Sequence, residues 1–427
     1  NNETELADLQ KSEDAIVVNN QISPEFPSKA LTGAGMTYKT LQGLDYKLNL
    51  NYANDYLDLV AIGNIADSAD LRDLEVRYYV LEGLKNIKNS FLKALFKKQE
   101  YSTKGKVNIM TTSFYINPLL NAVIRTETQE NKKNMFKCLL ERDEEVYYRR
   151  KEKCDPIIDD VIRMRRTAKN RQDRMVEKGM ELIEERIEEK NLLNNKILIV
   201  DVTNLLEPTL TGLVAIKVAT KYKRPTLLLR RDEENHQLVG SARGYEKGVI
   251  KNFKQYVLDS GYFDYAKGHD NAYGAGIKIN KIIEANKHFN EQLKDVVIDE
   301  DIYEVDFILT DKKLKKSFVK ELASHDNLWG GKVDEPLIAI KEITINHDEI
   351  ELIGKNKSVM KFKCKGIEFI KFRYSEEKFN KVFDGVGSYV VDVVGRCSLN
   401  EYMGNVTPQI VIEDFEVKKK KKKEIVF

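Results

Sequence analysis

Residues 130 to 190 hold a single proline, Pro156, and are dominated by charge. Apolar residues recur there at Ile157, Val161, Met164, Ala168, Met175, Gly179, Leu182 or Ile183, and Ile187, with Gln172 interrupting. Steps of three and four place these side chains on one thin stripe of a long helix. So narrow a face cannot centre a core. It reads as a solvated bridge between domains, with a coiled-coil dimer as the alternative. The 427-residue chain is therefore expected to divide into two to four domains.

The segments on either side differ in pattern. Residues 1 to about 125 mix short apolar runs with helical spacing. "LDLVAIGNIAD" reads as a buried strand entering a turn, and "RYYVLEGLKNI" as an amphipathic helix, an alternation that suggests α/β layers. From about 195, "KILIVDV" and "RPTLLLRRD" read as strands around the helix "TLTGLVAIKVATKY", a βαβ unit. After about 295 the pattern is short β: "VMKFKCKG", "IEFIKFRY", "SYVVDVVGRC" and "PQIVIEDFEV", with turn signals between them, suggest a small barrel. The run Lys418 to Lys423 reads as a self-repelling tail, with nonspecific attraction to nucleic acid as the alternative.

Seventy Lys and Arg against 68 Asp and Glu leave a net charge of +2, so any basic surface must be local. The four cysteines, Cys138, Cys154, Cys364 and Cys397, show no C-x-x-C spacing and read as buried thiols in a reducing cytosol. No apolar run is long enough to span a bilayer.

Four places could carry chemistry. Asp67 ends "DLVAIGNIAD"; a carboxylate at a strand end suits a metal, and equally suits a helix or turn cap. Asn121 and Arg125 lie four apart after Pro118, on one helical face, where an Arg fork beside an amide suits a phosphate; a salt bridge and a cap are the plainer roles. In "LVGSARG", Ser241 and Arg243 could present donors and open backbone to one anion. In "YAKGHDNAYGAGI", Gly268 and His269 stand among glycines that admit a phosphate to the backbone, the lone imidazole being too few ligands for a metal. Tyr374 and Tyr402 are candidate stacking rings, although core or rim positions suit them better, and Trp329 reads as a packing plug.

Taken in order, "ALTGAGM", "LDLVAIGNIAD", "INPLLNAVIR", "NRQ", "RPTLLL", "GSARG", "GHDNAYGAG" and "VVGRCSLNEYMG" resemble the RecJ single-strand-specific exonucleases of the DHH/DHHA1 phosphoesterase superfamily, over essentially the whole chain. The resemblance implies an α/β fold: the C-terminal part of a DHH domain (1–125), a long connecting helix (126–192), a DHHA1 domain (193–292), an all-β OB-fold barrel (293–417) and a basic tail (418–427). It implies a cytoplasmic 5′→3′ exonuclease of single-stranded DNA in repair or recombination, hydrolysing phosphodiesters with two Mn²⁺ or Mg²⁺ ions. Asp67 matches a metal-binding aspartate, Asn121 and Arg125 an active-site pair, and Ser241, Arg243, Gly268 and His269 the strand-holding motifs.

The family's D-x-D and D-H-H motifs would precede Asn1, on an upstream fragment or a second chain. Lys267 stands where a glycine is usual, Leu119 for an arginine, Ile124 for a glycine, and Glu207 and Thr209 for His and Gly; these departures suggest a distant, phage-like member. Two other readings stay open: a noncatalytic single-strand-binding accessory protein, and a small-oligonucleotide phosphodiesterase.

Overall fold

A computed structural model describes residues 8–385, 387–402 and 404–421. The chain divides into two compact units, residues 1–117 with 304–427, and residues 118–303.

The first unit begins with four helices, α1 (Gly33–Leu48), α2 (Leu57–Ala66), α3 (Leu74–Lys85) and α4 (Ser90–Thr103). The expected strand "LDLVAIGNIAD" is α2, and no strand occurs among the described residues before Glu145. A largely apolar segment of this length looks alike as strand or buried helix, and small residues decide it here. A Cβ on Gly63 would collide with Ala34 of α1, and one on Gly83 of α3 with Ala61 of α2. The helices therefore pack too closely for side chains at those points. Asp58, also buried, accepts backbone N–H bonds from Leu59, Lys88 and Asn89, each at 2.8 Å. The amphipathic reading of "RYYVLEGLKNI" falls on α3, whose buried residues include Val76, Tyr79, Val80 and Leu84.

The second unit carries most of α5 (Asn117–Thr126), then α6 (Gln129–Leu139), the hairpin β1 (Glu145–Tyr148) with β2 (Lys153–Pro156), and the 33-residue helix α7 (Ile157–Glu189). The long helix thus starts at Ile157 rather than near 126. It follows Pro156, which cannot sit inside a helix without breaking it. Its buried stripe is Ile157, Val161, Arg165, Ala168, Gln172, Val176, Gly179, Ile183 and Ile187. Met164 and Met175 stand one residue off that line. The helix is no bare bridge, because Val176, Ile183 and Ile187 share a core with Leu198, Val214, Val218 and Leu228.

The expected strand–helix–strand unit is present: β3 (Leu198–Asp201) runs parallel to β4 (Thr226–Asp232), with α8 (Thr211–Tyr222) between them. The sheet continues antiparallel through β5 (Gln237–Arg243), β6 (Tyr265–His269) and β7 (Ala272–Lys278), in the order β3-β4-β5-β7-β6. Alternation sorts its side chains. Leu227, Leu229, Ala242, Tyr273 and Ala275 pack with α9 (Phe253–Asp259) and α10 (Ile282–Gln292) on one face. Leu228 points to the other, where α7 and α8 lie. Residues to 303 stay with this unit, since Ile302 N–H bonds Lys247 carbonyl at 2.7 Å.

Back in the first unit, α11 (Lys316–Ser324) and α12 (Glu376–Val382) accompany seven strands: β8 (Phe307–Thr310), β9 (Leu337–Asn346), β10 (Glu351–Ile353), β11 (Val359–Cys364), β12 (Ile367–Phe372), β13 (Ser388–Tyr402) and β14 (Asn405–Lys421). Their order is β10-β11-β12-β14-β13-β9-β8 around one core that includes Ile340, Phe362, Phe369, Tyr389 and Ile410. The ladder does not close between β8 and β10, so the expected barrel is open in its hydrogen bonding. The lysine run is no detached tail from its first residue. β14 pairs with β13 as far as Lys421, because the partner strand extends equally far and its N–H and C=O groups need partners. Residues 422–427 lie outside the described residues.

Candidate nucleic-acid site

Asp67 follows the last residue of α2, with its N–H bonded to Gly63 carbonyl at 3.1 Å. It ends a helix and not a strand, so the strand-end crevice expected around it is absent. Its exposed side chain makes no hydrogen bond or ion pair among the described residues, which also leaves the capping role unsupported. Nor do three His, Cys, Asp or Glu side chains gather anywhere among them in a metal-binding group. The residues present do not by themselves fit a metal centre. A D-x-D spacing does occur at Asp299–Asp301 and went unread in the sequence. Asp301 there is engaged by the Tyr245 hydroxyl and by Lys223 at 3.1 Å, an ion pair and not a ligand set.

The second unit brings its candidates together through strand register. Arg243 on β5 pairs with Ala272 on β7, which pairs with His269 on β6. The next row of the same face is Ser241, Gly274 and Lys267, and the next Val239, Gly276 and Tyr265. Directly opposed residues share a face, so Ser241, Arg243, Lys267 and His269 project to one side. Arg243 and His269 stand two strands apart, about 10 Å, with only an alanine methyl between them.

The glycines of this region serve different ends. Gly268 has φ +139°, and a Cβ there would meet the backbone of Ala272 and Tyr273, so its conformation demands glycine. Gly276 makes room for the Tyr265 ring, and Gly244 for the Asn271 side chain. Gly274 alone of the four has room for a Cβ, which would meet Gly240 carbonyl at 3.6 Å and Lys267 carbonyl at 3.9 Å, both ordinary contact distances. That is the floor on which a ligand could lie.

Arg243 is half-buried, and its guanidinium passes over Gly212 at the start of α8, where a Cβ would collide with it. Burial and the neighbouring Arg125 both pull its pKa below the ordinary arginine value, and burial does the same to Arg125. Neither reaches a range where guanidinium loses its proton at neutral pH. Among the described residues neither has a carboxylate partner: Arg243 donates to Ala242 carbonyl at 2.7 Å, and Arg125 meets Gln172 Oε1 at 3.5 Å. Two half-buried like charges without an acid are what a phosphate would relieve. Asn121, one turn before Arg125 on α5, is half-buried, and its side chain has no hydrogen bond among the described residues. The Thr209 hydroxyl donates to Arg125 carbonyl at 3.4 Å, and so fastens the loop before α8 to the end of α5.

Sequence reading missed Gln172 and Gly212. Gln172 was visible as the polar break in an apolar stripe; Gly212 carried no signal until Arg243 was seen to cross it. His269 is exposed, and its side chain has no hydrogen bond among the described residues. Tyr374 is buried edge-on against Phe415, ring centroids 5.6 Å apart, and belongs to the core. The Tyr402 side chain lies outside the described residues. Trp329 is half-buried beside the Gly330–Val333 bridge. Of the thiols, Cys138 and Cys397 are buried, and burial pushes each up to about 12; Cys154 is exposed, contrary to expectation, because β2 turns it to the solvent side of its hairpin opposite Tyr147.

A family model of the RecJ OB domain matches residues 305–414. The chain is 48% identical over 423 residues to a Bacillus subtilis protein named as an SPbeta prophage-derived single-strand DNA-specific exonuclease, YorK, covering 97% of this chain and 73% of that one. It is 26% identical to the single-stranded-DNA-specific exonuclease RecJ of B. subtilis, covering 97% of this chain and 49% of that protein. A crystal structure of RecJ in complex with Mn²⁺ from Thermus thermophilus shares the fold at a TM-score of 0.68 and 18% identity, over 94% of this chain and 55% of that one. The chain thus spans about half the length of these two RecJ proteins. No helix among the described residues is long and apolar enough to cross a membrane. With that identity to YorK over nearly its whole length, the chain belongs to the RecJ family of single-strand DNA-specific exonucleases.

Proposed function

We propose that this chain is the strand-holding portion of a metal-dependent 5′→3′ exonuclease of single-stranded DNA, acting in cytoplasmic repair or recombination. The observation that carries the reading is the half-buried pair Arg125 and Arg243, without acid partners, beside the Gly274 floor. Phosphate oxygens would take the two guanidinium forks, the Ser241 hydroxyl and the His269 imidazole, and the backbone of β7 would lie beneath the sugar. Held in this way, a strand is oriented without being read, since no base edge is addressed. The seven-stranded sheet would grip the strand further along, as OB folds do. On this reading residues 1–125 belong to a DHH domain and 193–292 to a DHHA1 domain.

Mn²⁺ or Mg²⁺, two ions in the complete enzyme, would activate the attacking water. Asp67 would be one ligand, and the described residues gather no group of three possible ligands in which it could stand. That same isolation favours one alternative, a noncatalytic single-strand-binding protein. A phosphodiesterase for small oligonucleotides is disfavoured by the match to an OB domain, which short substrates do not need.

The test is digestion of a 5′-labelled single strand by the full gene product with Mn²⁺, against the same strand in duplex. Release of labelled mononucleotide from the single strand alone is expected. Tight binding without release would leave the accessory role, and no binding would remove both.

A further inference from the structure

Lys267 occupies a position that the anion site described above does not explain. It lies in the row Ser241–Gly274–Lys267, two strands from Ser241, on the face that carries Arg243 and His269. The side chain is exposed and has no acid partner among the described residues. Its Nζ stands 5.6 Å from the centroid of the Tyr265 ring, and that ring lies across Gly276. An ammonium so placed is held over the sheet by the ring face instead of ranging freely. Between Lys267 and Ser241 only Gly274 intervenes, partly exposed and with room for a Cβ. The trough is therefore walled by cations on both sides and floored by backbone.

We propose that Lys267, steadied by Tyr265, forms a second phosphate subsite across the Gly274 floor from Ser241 and Arg243, and takes the phosphodiester of the neighbouring nucleotide. The inference rests on the strand-holding reading and adds to it. One cation cluster can hold one terminal phosphate; cations facing each other across an open floor about 10 Å wide hold a strand at two points. Two points fix direction as well as position. Lys267 is a positioning residue, since it touches the strand away from any reacting atom.

Binding of a 5′-mononucleotide and of a longer single strand to the full protein, each followed across a salt series by fluorescence anisotropy, tests this. Lys267→Ala is expected to leave mononucleotide affinity unchanged. For the strand it should lower the slope of log affinity against log salt by about 0.7, one phosphate contact on single-stranded nucleic acid. Lys267→Arg should restore the slope. An exposed lysine can be truncated without loss of fold, and Gly274→Glu, with room for its Cβ, provides a second probe: it should weaken strand binding while preserving the melting profile. An unchanged slope in Lys267→Ala overturns the subsite. Equal loss on mononucleotide and strand overturns it also, by placing Lys267 at the same phosphate as Arg243. If Arg243→Ala too leaves strand binding intact, the strand-holding reading itself is at fault.

Discussion

The turn after α2 and the face of the β5-β7-β6 sheet carry the two kinds of residue that phosphodiester chemistry needs, and they differ in completeness. On the sheet, four polar side chains from two hairpins fall into two adjacent rows because antiparallel register puts them there. After α2, one carboxylate stands exposed, and no group of three His, Cys, Asp or Glu side chains forms around it among the described residues. The contrast follows from what each site requires. A polyanion can be held by cations strung along one sheet, whereas a divalent ion needs several ligands converging on a point.

The sharpest way to break this comparison is at Asp67. In the complete protein Asp67→Ala should lower hydrolysis by more than about a hundredfold, since loss even of groups supporting a metal ligand costs ten- to hundredfold. Strand affinity by anisotropy should stay nearly unchanged. Normal turnover in that variant would remove Asp67 from the metal site. Arg243→Ala should do the converse and weaken strand binding by roughly ten- to hundredfold, the worth of a charge-assisted hydrogen bond. Its melting temperature should not fall, because the unliganded protein is relieved of the repulsion with Arg125. A large drop in stability would make Arg243 a structural residue.

A smaller effect is expected at Gly268. Ala there must adopt φ +139° against the backbone of Ala272 and Tyr273, at a cost of roughly 1–3 kcal/mol. Faster amide exchange across the β6-β7 hairpin would report it; unaltered exchange would mean that the turn can relax.

The smallest prediction concerns Asp155, a carboxylate with the partners that Asp67 lacks. Hydrogen bonds from Lys153 at 3.0 Å and Arg163 at 2.8 Å hold its pKa below the usual carboxylate range. A lowered folded-state pKa contributes stability that is present above the unfolded value and lost as pH falls through the folded one. Asp155→Asn should therefore be less stable than the parent at neutral pH, and the gap should close in acid. A gap independent of pH would show that packing, and not charge, accounts for the loss.

Much of this protein could be read before its fold was known. The 3.6-residue stripe marked α7 as a long helix, alternation marked β11 to β14, and the strand–helix–strand spacing around α8 needed only periodicity. Ser241, Arg243, Gly268 and His269 were visible because glycine beside a polar residue is a local signal. The helix α2 was misread because a ten-residue stretch with only Asp58 and Asn64 polar has no clear period to betray it, and its closeness to Ala34 and Gly83 is a fact about neighbours. The open edge of the seven-stranded sheet could not be foreseen either, since strand count does not say whether the last strand returns to the first.

The sequence sufficed for which residue types this chain could offer a phosphate and for the periods of α7 and of β11 to β14, because periodicity, proline and glycine act over a few residues. Packing and strand pairing settle that Arg243 lies near Arg125 with no acid partner among the described residues, that Gly274 and not Gly268 has room above it, and that Lys267 shares a row with Ser241. Those are matters of register and burial, set by segments more than a hundred residues apart in the chain for Arg125 and Arg243, and no local pattern encodes them.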